Sequence, residues 1–182
     1  VRNYYSGEII SIEPIPEIFR QLKRRFSNDP NWKGLNIAIS NSKKLINLNV
    51  ASNDGGSSSQ FNLHRNHKVA SPDIHFVKKI NIEAVKLSKL IKNKKQIYIK
   101  ADIQGSELDL LKSIKNSDFD FIKAIELEVS WNETYINAPL ADEIFVFLRG
   151  KGFVPIWMEP SYSLRKFENI LQSDVIFSRK VA

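Results

Sequence analysis

Residues 96–114, QIYIKADIQGSELDLLKSI, pass from an apolar strand to a helix through a single short turn. The first part alternates as a strand does, and the last part carries leucines at helical spacing. Between them stand Asp102, Gly105 and Glu107. Gly105 lets the chain turn with little bulk, and Glu107 in the first helical turn suits the positive end of the helix. Ser106 is predicted to cap that helix, with Asp109 three residues on as its partner in a capping box. Asp102 has no such local role. It ends a strand, and in open α/β sheets the ligand lies at the carboxyl ends of strands.

The rest of the chain repeats this strand-to-helix pattern. Residues 7–14, GEIISIEP, read as a strand closed by an acid and a proline. A helix follows from Pro16, with Ile18, Phe19, Leu22 and Phe26 on one face. Strands are predicted at 34–40, 45–52, 79–87, 96–101, 121–129, 153–159 and 174–180. Further helical stretches are predicted at 88–93, 106–115 and 139–150. Residues 53–71 are polar and rich in Gly and Ser, and predict a long mobile excursion without a core element. The polar stretch 160–173 reads as a connection. The order predicts an α/β fold with a mostly parallel sheet and an antiparallel edge strand near the end, in one domain spanning 1–182.

Charge and composition narrow the partners. The chain has 27 Lys and Arg against 20 Asp and Glu, a formal charge of +7. These charges fall in short runs at the ends of apolar elements, where solvated faces explain them, so nucleic acid is not the expected partner. There is no Cys, hence no thiolate ligand or thiol nucleophile, and a reducing, cytoplasmic setting is the default. No apolar run reaches the length of a membrane span, and no signal peptide is evident. His64 and His67 are spaced three apart but lack a third ligand, so no metal is expected. GGSSS at 55–59 has neither the Lys nor the following helix of a phosphate cradle.

Glu13 closes a strand directly before a helix, where an acid can accept hydrogen bonds from the two hydroxyls of a ribose, or simply face solvent beside the helix start. The prolines of EPIP restrain the backbone around it. Glu126 and Glu128 stand at the end of the strand 121–129, on the same expected ligand edge as Asp102.

Five segments, IISIEPIPEIFRQL, LNIAIS, IYIKADIQGSELDLLKSI, AIELEVS and SDVIFSRK, together resemble the FkbM-type methyltransferases, in order over nearly the whole chain. The strand followed by D-x-x-G-x-E is the most specific of these. The resemblance implies a Rossmann-like class I methyltransferase fold and S-adenosylmethionine as cofactor. It maps the ribose-binding acid to Glu13 beside Pro14, and the adenine neighbourhood to residues 36–39, with Ile37 and Ala38 at its centre. The methyl-transfer site maps to Asp102, Gly105 and Glu107. Two departures accompany it. The family's first strand and its glycine-rich loop, D-x-G-A-N-x-G, do not precede Glu13, so weak cofactor binding is expected of the chain as given. An Asp that the family often carries is replaced by Ser88.

The implied reaction is O-methylation of a sugar, glycan or secondary-metabolite hydroxyl. Asp102 and Glu128 are the catalytic candidates, with Glu126 beside them, since an alcohol must lose its proton and a carboxylate is a suitable base. Acceptor contacts are expected from residues 53–71 and from the stretch holding Trp157 and Tyr162. A competing expectation is a catalytically degenerate Rossmann-like binding module with a basic surface for an anionic partner. A nicotinamide dehydrogenase ranks last, because it offers no account of D-x-x-G-x-E.

Overall fold

The computed structural model describes residues 5–165 and 168–179. The first unit is β1 (Ile9–Ile12), α1 (Pro16–Arg25) and β2 (Trp32–Leu35). β1 and β2 are parallel, with Ile9 opposite Trp32 and Ile12 opposite Leu35. The predicted apolar face of α1, Ile18, Phe19 and Leu22, is half-buried. Beyond the helix, Phe26 stacks on Trp32 at 5.5 Å between ring centroids.

The strand predicted over 34–40 is two strands. β2 ends at Leu35, and β3 (Ala38–Ile39) pairs with a different partner, β5 (Phe76–Val85). Asn36 makes the break, its amide Nδ2 donating to Glu13 O at 2.8 Å and to Pro14 O at 3.0 Å. β4 (Leu45–Ala51) runs antiparallel to β5, giving the order β3-β5-β4.

Residues 53–71 are built into the protein rather than standing off it as a mobile excursion. Ser59 pairs with Asn49 and Leu63 with Tyr135, and α2 (Arg65–Ala70) follows. Ser57, Ser59, Leu63 and His67 are all buried. Burying hydroxyls and amides is tolerable when each is hydrogen-bonded. Here Ser59 Oγ donates to Gln104 O at 2.7 Å, and Asn49 Nδ2 donates to Phe61 O at 3.1 Å.

The main sheet contains β6 (Ile97–Ala101), β7 (Ile122–Ser130), β8 (Phe153–Arg165) and β9 (Glu168–Arg179), in the order β6-β7-β9-β8. β6 and β7 are parallel and are joined through α4 (Glu107–Lys112) and a 3-10 turn at Asn116–Phe121. α3 (Leu87–Ile91) leads into β6, and α5 (Ala141–Arg149) connects β7 to β8. Ser88 ties α3 to the chain after α4, donating to Asp118 Oδ2 at 2.6 Å and accepting from Lys115 N at 2.7 Å.

The largest core lies beneath this sheet. Ile125, Leu127 and Val129 of β7 are fully buried with Leu111, Ile144, Leu148, Phe153 and Val175. Each such side chain contributes about 1.5–3 kcal/mol on burial. The parallel β1–α1–β2 and β6–α4–β7 crossovers make the fold the expected Rossmann-like α/β class, but its sheets are mixed rather than mostly parallel, with β4–β5, β7–β9 and β8–β9 paired antiparallel.

The antiparallel strand stands one place further in than an edge. β9 runs antiparallel to both β7 and β8, and β8 is the edge. The stretch 160–173 belongs to these two strands, and of it Lys166 and Phe167 lie outside the described residues. Lys180 of the predicted final strand also lies outside them. The predicted strand 153–159 runs through Pro155 but stops at Pro160, short of the rest of β8. An edge strand tolerates proline, and the pairing shifts register beside both residues.

Candidate functional site

The turn after β6 is shaped by its own acid. Glu107 is 3% exposed, and both carboxylate oxygens accept from backbone N–H groups, Oε1 from Ile103 at 2.9 Å and Oε2 from Gly105 at 3.0 Å. Gln104 and Gly105 are both left-handed, with φ of 52° and 94°. A Cβ on Gly105 would lie 2.8 Å from Ala138 Cβ. The absent side chain is thus filled by protein, and Glu107 acts as the brace of the turn. Burial pushes its carboxyl up to about 7.

Ser106 and Asp109 do not form the predicted capping box. Ser106 has no cap hydrogen bond, and its Oγ accepts from Gln60 Nε2 at 3.0 Å. Asp109 reaches across to the loop after β3, accepting from Ser40 Oγ at 2.7 Å and Asn41 N at 3.3 Å. Longer-range donors, the Ser40 hydroxyl above all, have displaced the local partner of the Asp109 carboxylate.

Asp102 and Glu128 are brought together by Gln104, a residue the sequence reading passed over. Its Nε2 donates to Asp102 Oδ1 and, at 3.2 Å, to Glu128 Oε2. Its Oε1 accepts from the buried Tyr135 hydroxyl at 2.7 Å. Glu128 also accepts from Ser161 Oγ at 2.9 Å and Gln172 Nε2 at 2.8 Å. All three partners of Glu128 are neutral. Burial, and next the nearby charge of Asp102, push its carboxyl up to about 7. Asp102 is also raised, by surrounding protein and then by Asp174, against the opposing Gln104 and Lys100. It keeps a solvent-exposed face, so water screens much of that shift. Glu126 is engaged elsewhere, in a cross-strand ion pair with Lys100.

Glu128 and Gln104 line a cavity of about 260 Å³. Its other walls include Asn53, Ser57 and His67 from the polar segment, and Ser161, Tyr162 and Gln172 from the β8–β9 pair. Trp157 is exposed instead and is not among the lining residues. His67 sits between Tyr135 and Tyr162, 5.6 Å from each ring. His64 does different work. It caps α2, its Nδ1 accepting from Asn66 N at 3.2 Å.

The second group of candidates gathers at the end of β1. Glu13 is half-buried, its Oε1 accepts from Ile15 N at 2.7 Å, and burial raises its carboxyl against that bond. Asn36 bonds to the backbone of Glu13 and Pro14, which fixes the neighbouring Ile37 and Ala38 beside them. Ile12, Ile39, Ile103 and Leu108 share the main core, and Ser40 bonds to Asp109, so this group is linked to the turn through packed protein.

Acids thus stand at or near the ends of β1, β6 and β7 of this Rossmann-like α/β fold. The chain belongs to the methyltransferase FkbM domain family, which it matches over residues 2–155. No curated protein matches it. A solved structure of the Methanococcus jannaschii fibrillarin pre-rRNA processing protein is similar at 12% identity and a TM-score of 0.45. The likeness covers 97% of this chain and spans 57% of that one. Among the described residues, no helix is long and apolar enough to cross a membrane.

Proposed function

We propose that this chain is a single, cytoplasmic S-adenosylmethionine-dependent methyltransferase domain over 1–182, acting on a hydroxyl of a sugar, glycan or secondary metabolite. One observation carries the hydroxyl assignment. Glu128 is a carboxylate poised near pH 7, held by neutral donors and facing a cavity. A general base works best with a pKa near the operating pH.

The residues at the end of β1 fit the cofactor. Glu13 has one oxygen committed to Ile15 N, which leaves the chemistry of the other suited to a ribose diol. Pro14, Ile37 and Ala38 provide an apolar surface for a base. When bound, S-adenosylmethionine supplies an electrophilic methyl group on a sulfonium. The chain's own work is then to hold the acceptor oxygen and remove its proton. Glu128 would take that proton as the acceptor's O–H bond breaks, while the acceptor oxygen would gain the methyl group as the C–S bond of the bound cofactor breaks and the neutral thioether leaves. Asp102, tethered to the same Gln104 amide, orients the reacting groups, and Gly105 and Glu107 keep the turn in shape. Alignment of this kind is worth about 7–11 kcal/mol in favourable cases.

The test is methyl transfer from radiolabelled S-adenosylmethionine by the intact protein to a panel of sugars, glycans and phenolic metabolites. Glu128→Gln should lower kcat by about 10²–10⁴-fold while leaving cofactor affinity in place. Unchanged turnover in Glu128→Gln would remove Glu128 from the chemistry. Absence of labelled product with every hydroxyl acceptor would sink the O-methyltransferase reading.

A further inference from the structure

Besides the Glu128 carboxylate and the His67 ring, the polar side chains lining the cavity are amides and hydroxyls, some of them bonded to one another, as Asn53 is to Ser57 and Tyr162 to Ser71. Amides come from Asn53, Gln104 and Gln172, and hydroxyls from Ser57, Ser161 and Tyr162. No Lys or Arg is among the described residues that line it, although the chain as a whole carries 27 of them. That avoidance is chemically selective. Phosphate and carboxylate recognition relies on Arg and Lys for charge and fork geometry, whereas amides and hydroxyls match the donor-acceptor pattern of neutral hydroxyl groups.

His67 adds an independent sign that the wall is made for a ligand. It lines the cavity, is 3% exposed, and its Nδ1 has no hydrogen-bond partner. Burial lowers its pKa, so the ring supplies no cation. Ile74 and the rings of Tyr162 and His67 give the wall an apolar side. The volume, about 260 Å³, falls just under the roughly 300–1,000 Å³ of sites for drug-sized ligands. That is room for one small ring.

Resting on the methyltransferase reading for its purpose, we infer that this cavity is the acceptor subsite, and that it takes a neutral, hydroxyl-rich ring of the pyranoside type and turns away phosphorylated or carboxylated sugars. Ionised Glu128 repels an anion placed in the cavity, with the nearby Asp102 adding to it, and no Lys or Arg is among the described lining residues to attract one. Basic groups elsewhere on the surface attract anions only over a distance of about a Debye length. Sorting therefore happens at the cavity.

Binding can be measured on the intact protein without a methyl donor, so the result is independent of catalysis. Ligand-observed NMR with methyl glucoside, glucose 6-phosphate, glucuronate and glucosamine is the direct experiment. Methyl glucoside should bind in the millimolar range, and the two anions at least about tenfold more weakly. Gln172→Leu should abolish the methyl glucoside signal. Asn53 is exposed but its side chain bonds to Ser57, so Asn53→Arg is first checked for an unchanged circular dichroism spectrum and should then raise glucose 6-phosphate affinity about tenfold or more. Failure of methyl glucoside to bind overturns the inference, as does equal or tighter binding of either anion. Tighter binding of glucosamine overturns the neutral class. The methyl-transfer assay with hydroxyl acceptors tests the methyltransferase reading separately, and its failure would leave the measured sugar preference standing.

Discussion

The hydroxyl of Tyr135 lies 2.7 Å from Gln104 Oε1 and 3.1 Å from Ser57 O, and its one proton is shared between them. Gln104 is thereby held with its oxygen toward the tyrosine and its NH₂ toward Asp102 and Glu128. Removing the hydroxyl in Tyr135→Phe strands two buried acceptors and loosens the amide. Urea unfolding should show a loss of about 1–3 kcal/mol. A variant as stable as the parent would show that the tyrosine does not orient Gln104.

Glu128 makes stability depend on pH in a definite direction. Its carboxyl titrates near 7 in the fold, against about 4.3 in an unfolded chain. The folded state therefore holds the extra proton between those values, and stability falls as pH rises from about 4.5 to 7. Glu128→Gln removes that contribution. The difference between parent and variant should grow by about 1–2 kcal/mol across this window, a range reduced because the group is partly wet and coupled to Asp102. Parallel pH-stability curves for the two proteins would refute the assignment.

Gly105 is held at φ 94° with Ala138 Cβ 2.8 Å from where a Cβ would stand. Gly105→Ala should cost about 1–3 kcal/mol through backbone strain and the clash together. Adding Ala138→Gly should recover the clash and leave the strain. Thermal unfolding of the single and double variants separates the two effects, and an unchanged Tm in Gly105→Ala would contradict both.

Asp109 joins the loop after β3 to α4 through Ser40 and Asn41. Asp109→Ala should destabilise the protein by about 1.5–3 kcal/mol, the usual range for hydrogen bonds to a charged group. Hydrogen exchange should quicken at residues 40–43. Unaltered protection there would mean that the loop is held by other contacts.

The parallel crossovers could be read from the chain because apolar periodicity changes from two to about 3.6 on passing from β1 to α1 and from β6 to α4. Asp102 and Glu128 followed from their places at strand ends. The cavity walls were much less legible. Ser57 and His67 sit in a stretch whose polarity matches a surface loop, and their burial depends on long-range contacts, the Tyr135 hydroxyl on Ser57 O and the Tyr135 and Tyr162 rings beside His67. Gln104 stands between Asp102 and Gly105 in the motif, which was the available signal, but an amide's role depends on what faces it. Tyr162 lay in the stretch expected to touch the acceptor, whereas Gln172 was hidden for another reason. Pro160 ended the apparent strand, although an edge position accepts proline.

β9 lies inside the main sheet, between β7 and the edge. Its Gln172 meets Glu128 across a separation of 44 residues. During synthesis, β6 and β7 emerge well before the strand that must cover the open side of β7. Until Glu168–Arg179 leaves the ribosome, the fully buried Leu127 and Val129 lack their antiparallel partner strand. Closure of such a distant pairing is slow relative to local helix formation. The nascent chain thus passes through a stage with an unpaired, apolar strand edge, the kind of surface that chaperones bind and that aggregates form from.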